Sequence, residues 1–230
     1  MKDIQTPITI ENEDTFKIIF SKYGAYGLEK QENLAKIVED LVGDLDIDKG
    51  VLSFNDDIKF NVQILGFHSE EFNQWSWAWD NENIGFNESL IKESKEIKEL
   101  GEKFSIDEFT TSTFEIDYDD CHVIAMMVTS IMGDSAYYAA SVGDLNVFVT
   151  INSDSIPENN SSEDFRMIYN HFQKNFDIFP KLAFEGYTKL KGYFFKERED
   201  FSLAKIGEDR VIVGFTDRNN VTNIQLLTTD

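Results

Sequence analysis

The chain has 230 residues, 41% of them hydrophobic, enough to bury a core as one large α+β domain or two small ones and too many for a disordered tail. A single cysteine, Cys121, excludes an intrachain disulfide; residues 1–5 lack the apolar run of a signal peptide and no stretch reaches the length of a membrane span, so a cytoplasmic protein is expected. The formal net charge of −22 disfavours nucleic acid and anionic membrane as partners and favours basic proteins or cations.

Asp14 is placed to cap a helix whose apolar positions are Phe16, Ile19, Phe20, Tyr23, Leu34, Ile37, Val38 and Leu41. Gly24 and Gly27 weaken its middle, which predicts one long bent helix or two shorter ones, ended by Gly43. Asp44, Asp46 and Asp48 alternate as in a calcium-binding EF-hand loop, but the sixth position is Lys49 where a sharp turn is needed, and the twelfth is Asn55 where a bidentate glutamate belongs. The alternation instead predicts a strand with Leu45 and Ile47 inward, a turn at Asp48-Lys49-Gly50 and a return strand over 51–54.

The densest apolar alternation in the chain lies at 58–81 and predicts an antiparallel hairpin. Phe60, Val62 and Ile64 share one side of the first arm, residues 68–71 turn the chain, and Trp75, Trp77 and Trp79 share one face of the second arm, opposite the small Ser76 and Ala78. An indole triplet there forms either a core or an aromatic wall lining a pocket. The run Leu65-Gly66-Phe67-His68-Ser69 followed by Trp75-Ser76-Trp77-Ala78-Trp79-Asp80-Asn81 resembles a bacterial family of unknown function, whose signature is leucine-glycine-serine, a short turn, then W-x-W-A-W-x-N. Gly50 to Phe54 and Ala136-Tyr137-Tyr138 fit the same pattern, so the resemblance covers about residues 44–152. Phe67 stands where the family has serine, and the resemblance implies a fold unit without a catalytic residue, cofactor or substrate.

Asn87 is placed to cap a helix over 88–104 with Leu90, Ile97, Leu100 and Phe104 along one stripe. A short strand is predicted over 112–116. Asp119 or Asp120 then caps an almost wholly apolar helix over 120–132, stopped by Gly133; lacking a polar face, it is expected to be buried against the sheet, next to Ser76 and Ala78. Residues 137–142 and 145–152 predict a second hairpin around Gly143-Asp144. Residues 153–160 read as a linker, so the expected division is an acidic α+β unit over 1–152 and a second unit over 153–230. Ser161 and Asp164 resemble a capping box for a helix carrying Phe165, Ile168, Tyr169, Phe172 and Phe176. Pro180 opens another helix, and strands over 192–196, 201–206, 210–215 and 221–227 predict a β-meander.

Charge is unevenly placed: residues 1–152 hold 30 acidic and 11 basic side chains, residues 153–230 hold 13 and 10, and no lysine or arginine occurs between Lys103 and Arg166. The candidate acidic partner face is drawn from that gap: Asp107, Glu108, Asp117, Asp119, Asp120, Asp134 and Asp144.

Reactive constellations are sparse. Cys121 sits near a helix start, where the dipole lowers a thiol pKa, but Asp119 and Asp120 oppose that, and His122 points about 100° away around the helix. His68, His122 and His171 show no paired metal-ligand spacing, and no phosphate-binding glycine motif or nucleophile elbow is present. No catalytic residue, metal ligand or cofactor is assigned. The sequence reads as an α+β protein: an antiparallel sheet of hairpins packed against a buried helix over 120–132, then a helical segment and β-meander. Its expected role is a non-catalytic cytoplasmic protein that binds a basic protein, with an immunity protein neutralising a basic toxin as one version. The alternatives are a small-ligand pocket walled by Trp75, Trp77, Trp79, Tyr137 and Tyr138, and a metal-dependent hydrolase using clustered carboxylates.

Overall fold

A computed structural model describes residues 6–80 and 85–229; the opening residues 1–5 and Asn81, which ends the expected hairpin, lie outside the described residues. The described chain is α+β, with six α-helices and eleven strands, and its strands pair antiparallel. Its contacts gather residues 30–158 into one compact unit and residues up to 29 together with 159 onward into another. The linear pattern divides the chain once, after residue 152. The contacts cut it near there, after Glu158, and also inside the first helix, because hydrophobic periodicity records which face of a helix is buried and not which partner each turn meets.

That helix, α1 (Phe16–Val38), runs unbroken through both glycines. Gly24 is needed: an added Cβ would lie 2.4 Å from the Phe20 ring and 2.6 Å from Phe172. Thr15, rather than the expected Asp14, turns its hydroxyl to an orphan N–H of the first turn, that of Ile18, at 3.3 Å. The helix ends before Gly43, at Glu39, which adopts the left-handed conformation with φ 49°.

In the 30–158 unit the sheet is assembled around one long strand. The first hairpin is β1 (Asp44–Asp46) and β2 (Val51–Ser53), turned by Gly50 at φ 64°. Next comes β3 (Lys59–Ser69), which pairs at its start with β2, at its end with β4 (Gln74–Trp77), and over Val62–Ser69 with β7 (Leu145–Ile151). The outer strands are β1, beside β2, β5 (Thr113–Glu115), beside β4, and β6 (Ala136–Val142), beside β7. A bulge at Leu65 interrupts the β3–β7 register between Ile64 and Gly66. The extra residue shifts the alternation, so Phe60, Val62, Ile64 and Phe67 share a cluster with Val147, Val149 and Ile151, while Gly66 and His68 pair with Trp77 and Trp75 on the other face. Leu34 and Val38 from the second half of α1 join that cluster.

The expected helix over 88–104 is split into a 3₁₀ turn (Glu88–Leu90) and α2 (Lys92–Phe104), with Ile91 buried between them. A one-turn helix, α3 (Asp107–Thr110), follows. The apolar helix is α4 (Tyr118–Met132), with Asp117 at its N-cap position instead of Asp119 or Asp120 and Gly133 in the left-handed conformation at its end. It packs on the indole face, where Phe148 lies 5.3 Å from both Trp75 and His122, and not beside Ser76 and Ala78 as the small side chains led one to expect.

The other unit joins the first half of α1 to α5 (Ser162–Asn175), α6 (Pro180–Leu190) and the meander β8 (Phe194–Glu197), β9 (Phe201–Ile206), β10 (Asp209–Phe215) and β11 (Val221–Leu227). Half of the capping box forms: Asp164 N donates to Ser161 Oγ at 3.0 Å and that hydroxyl donates to the Asp164 carboxylate at 2.8 Å, while the Ser161 N–H donates to Asn159 Oδ1 at 3.1 Å instead of to Asp164. Lys191 and Glu29, both almost wholly buried, pair at 2.8 Å, and Tyr187 donates to the second Glu29 oxygen at 2.5 Å.

Candidate functional site

Register decides which turns meet. Ser69 of β3 stands opposite both Gln74 of β4 and Leu145 of β7, while Glu115 of β5 stands opposite Gln74. The β3–β4 turn, the β6–β7 turn and the β5–α4 junction therefore crowd one edge of the sheet. Glu70, Glu71, Asp144, Glu115, Asp117, Asp119 and Asp120 are all exposed there, and these three segments contain no lysine or arginine. Phe72, 65% exposed, projects from the middle of the first turn.

Hydrogen bonds hold this edge in shape. Asn146 donates through Nδ2 to Glu70 Oε1 at 3.0 Å, tying the two hairpin turns together, and accepts the Ser141 hydroxyl on its Oδ1 at 3.2 Å. Asn73, at φ 47°, donates its side chain to Asp117 at 2.7 Å and its carbonyl accepts Ile116 N at 3.0 Å, tying the β3–β4 turn to the start of α4. A notch of about 390 Å³ opens between Glu70, Glu71, Asp144 and Leu145.

Behind the edge the aromatic side chains form a sealed layer. Trp75 and Trp77 are 0% and 1% exposed and meet at 5.2 Å edge to face; the Trp77 N–H donates to the Glu108 carbonyl at 2.9 Å. Trp79 lies past the end of β4 in a turn, under the Lys98 ammonium at 4.2 Å, so the three indoles do not form one wall. Tyr137 and Tyr138 face opposite sides of β6, as neighbours on a strand must: Tyr137 meets His122 Nδ1 at 3.2 Å, whereas Tyr138 accepts the Gly43 N–H at 3.0 Å. An apolar groove of about 450 Å³ does exist in this unit, but Phe67, Phe86, Leu90 and Val147 line it, on the face away from Trp75.

Burial shifts two titratable groups of this layer. Burial pushes the Cys121 thiol up to about 12, with Asp120 and Asp117 adding to the rise and outweighing the helix N-terminus. Burial lowers the His122 pKa and keeps the ring neutral, with Asp119 opposing it weakly. His68 reaches the Ile116 carbonyl through Nε2 at 3.2 Å. Among the described residues no three of histidine, cysteine, aspartate and glutamate are grouped to hold a metal ion, and no helix is long and apolar enough to cross a membrane.

Of the acids read from the sequence, Asp117, Asp119, Asp120 and Asp144 meet on one edge. Asp107 and Glu108 sit on α3 beside Trp77, and Asp134 is 1% exposed, hence off the surface altogether. Glu70, Glu71 and Phe72 complete the edge; they lie outside the gap in basic residues along the chain, and register brings their turn in. The visible signal was a Glu-Glu-Phe turn in a hairpin whose neighbour also turns on an acid.

The fold and edge define an acidic α+β protein with a hairpin-built sheet over a buried apolar helix. The chain belongs to DUF6882, a family of unknown function, which matches residues 19–154 and so takes in nearly all of the 30–158 unit. No curated protein and no solved structure is similar to it.

Proposed function

We propose that this chain is a non-catalytic cytoplasmic binding protein whose acidic edge, with Phe72 at its centre, engages a basic protein; an immunity protein neutralising a basic toxin is the specific form this takes. The observation that carries the reading is the convergence of three lysine- and arginine-free segments on one sheet edge around an exposed phenylalanine. A one-signed patch steers an oppositely charged partner and sets its register, and an aromatic anchor inside it supplies the buried contact that charge alone does not. The hydrogen bonds among Glu70, Asn146, Asn73 and Asp117 fix the edge beforehand, which reduces the ordering cost of binding.

The test is capture from native-host extract at low and high salt, comparing the unaltered chain with a Glu70→Lys, Glu71→Lys, Asp144→Lys variant. These side chains are exposed, so the fold is expected to survive. Basic proteins retained at low salt, released at high salt and lost by at least about tenfold in the variant support the reading. Partners that are acidic, indifferent to salt or bound equally by the variant contradict it.

A further inference from the structure

Glu93, on the first turn of α2, and Asp134, in the turn from α4 into β6, bring two carboxyl groups together inside the 30–158 unit, where each interacts with the other and the Thr150 hydroxyl of β7 donates to Glu93 Oε2. Asp134 is almost wholly buried, and its Oδ2 has no N–H or O–H donor among the described residues. A proton on Glu93 would supply that missing donor. Lys30, from α1, donates to the Asp134 backbone oxygen; with Glu96 on the next turn of α2 it is the remaining charge acting on the pair, and Asn152 just beyond β7 adds a polar contact to Asp134. One ammonium thus acts on the buried Asp134, and a second negative charge beside it, on the partly buried Glu93, is opposed by both desolvation and like-charge repulsion.

We propose that Glu93 and Asp134 share a single proton and form a latch, fastening the first turn of α2 to β7 and the α4–β6 corner and loosening when that proton is lost. The next residue shows what the latch governs: Ser94 Oγ donates to the Leu65 carbonyl at 2.9 Å and accepts the Trp79 N–H at 3.1 Å, so the same helical turn clamps the β3 bulge and the segment leaving β4. Burial first, and the Asp134 charge second, push the Glu93 pKa up to about 8, and burial raises Asp134 as well. In an opened segment Glu93 returns to an ordinary carboxyl pKa of about 4.3. The folded pKa is the higher one, so the latch holds fully below about pH 4.3, and opening gains about tenfold per pH unit from there to about pH 8, where it levels off. This device is independent of the acidic edge.

Amide hydrogen exchange of residues 92–96 and Trp79 in the full chain, corrected for intrinsic rates and followed from pH 5.5 to 9, tests it. The expected opening constant climbs by about tenfold per pH unit and flattens near pH 8, and Glu93→Gln, which keeps the shape but has no proton to lose, shows no such slope. An equal slope in Glu93→Gln, or none in the unaltered chain, overturns the proposal. Carboxyl-carbon NMR titration of Glu93 in the unaltered chain decides the matter even where that variant fails to fold: a midpoint above 7 supports the latch and one between 4 and 5 overturns it.

Discussion

Gly66 shows how a short motif becomes structure. An added Cβ at this position would lie 2.5 Å from the Trp75 ring and 2.7 Å from the Ser76 carbonyl, so the leucine-glycine step leaves the space across which the indole lies. Gly66→Ala should cost about 1–3 kcal/mol by overpacking, measured by denaturant unfolding. The two sealed indoles differ in a way that sequence does not show: Trp77 N–H has the Glu108 carbonyl, and Trp75 N–H finds no acceptor among the described residues. Trp77→Phe should therefore destabilise by about 1 kcal/mol or more beyond Trp75→Phe, since it breaks a made hydrogen bond and strands a carbonyl. Equal losses in the same unfolding experiment would contradict this assignment. His68 and Cys121 are both buried in this layer, and position in sequence carries no information about that burial.

Elements whose amphipathic period coincided with strong punctuation were legible: the hairpins turning at Gly50 and at Gly143-Asp144, α4 with Gly133, the Ser161 cap and the meander fall where the pattern places them, whereas the hairpin over 58–81 forms with its turn at 70–73 and not 68–71, because His68 and Ser69 still pair with Trp75 and Gln74. Elements set by tertiary partners were not. Ile91 lies off the stripe of Leu90, Ile97, Leu100 and Phe104, and the backbone there leaves helical geometry at φ −119°, where the buried Ile91 joins the apolar cluster of the sheet. Trp79 fits the alternation of 75 and 77 but falls past the strand, because β4 runs out of pairing at Trp77. The bulge at Leu65 escaped notice since it has no compositional sign, and without it the alternation beyond Ile64 assigns Gly66 and His68 to the wrong face. Where local chemistry does rule, a local change should show it: Ser161→Ala removes the side-chain acceptor of the Asp164 N–H and should lower stability by about 1 kcal/mol, read as a drop in thermal midpoint.

Across the chain, charge was legible in amount and only partly in place. The gap in basic residues pointed to Asp117, Asp119, Asp120 and Asp144, but three turns separated in sequence come together through strand register, and Asp134, counted with them, is withdrawn into the carboxyl pair with Glu93. One acid thus contributes to internal linkage while its neighbours in sequence face outward. The binding proposed for this edge is expected to be localised there and not spread over a molecule of charge −22. The most direct measurement is titration of the isotopically labelled full chain with an oligolysine peptide carrying one apolar residue, followed by backbone amide NMR at physiological salt. Saturable shifts concentrated at residues 70–73, 115–120 and 143–146 are expected, diminished by the Glu70→Lys, Glu71→Lys, Asp144→Lys substitutions. Shifts scattered evenly over all acidic segments, or absent from those three, would contradict it.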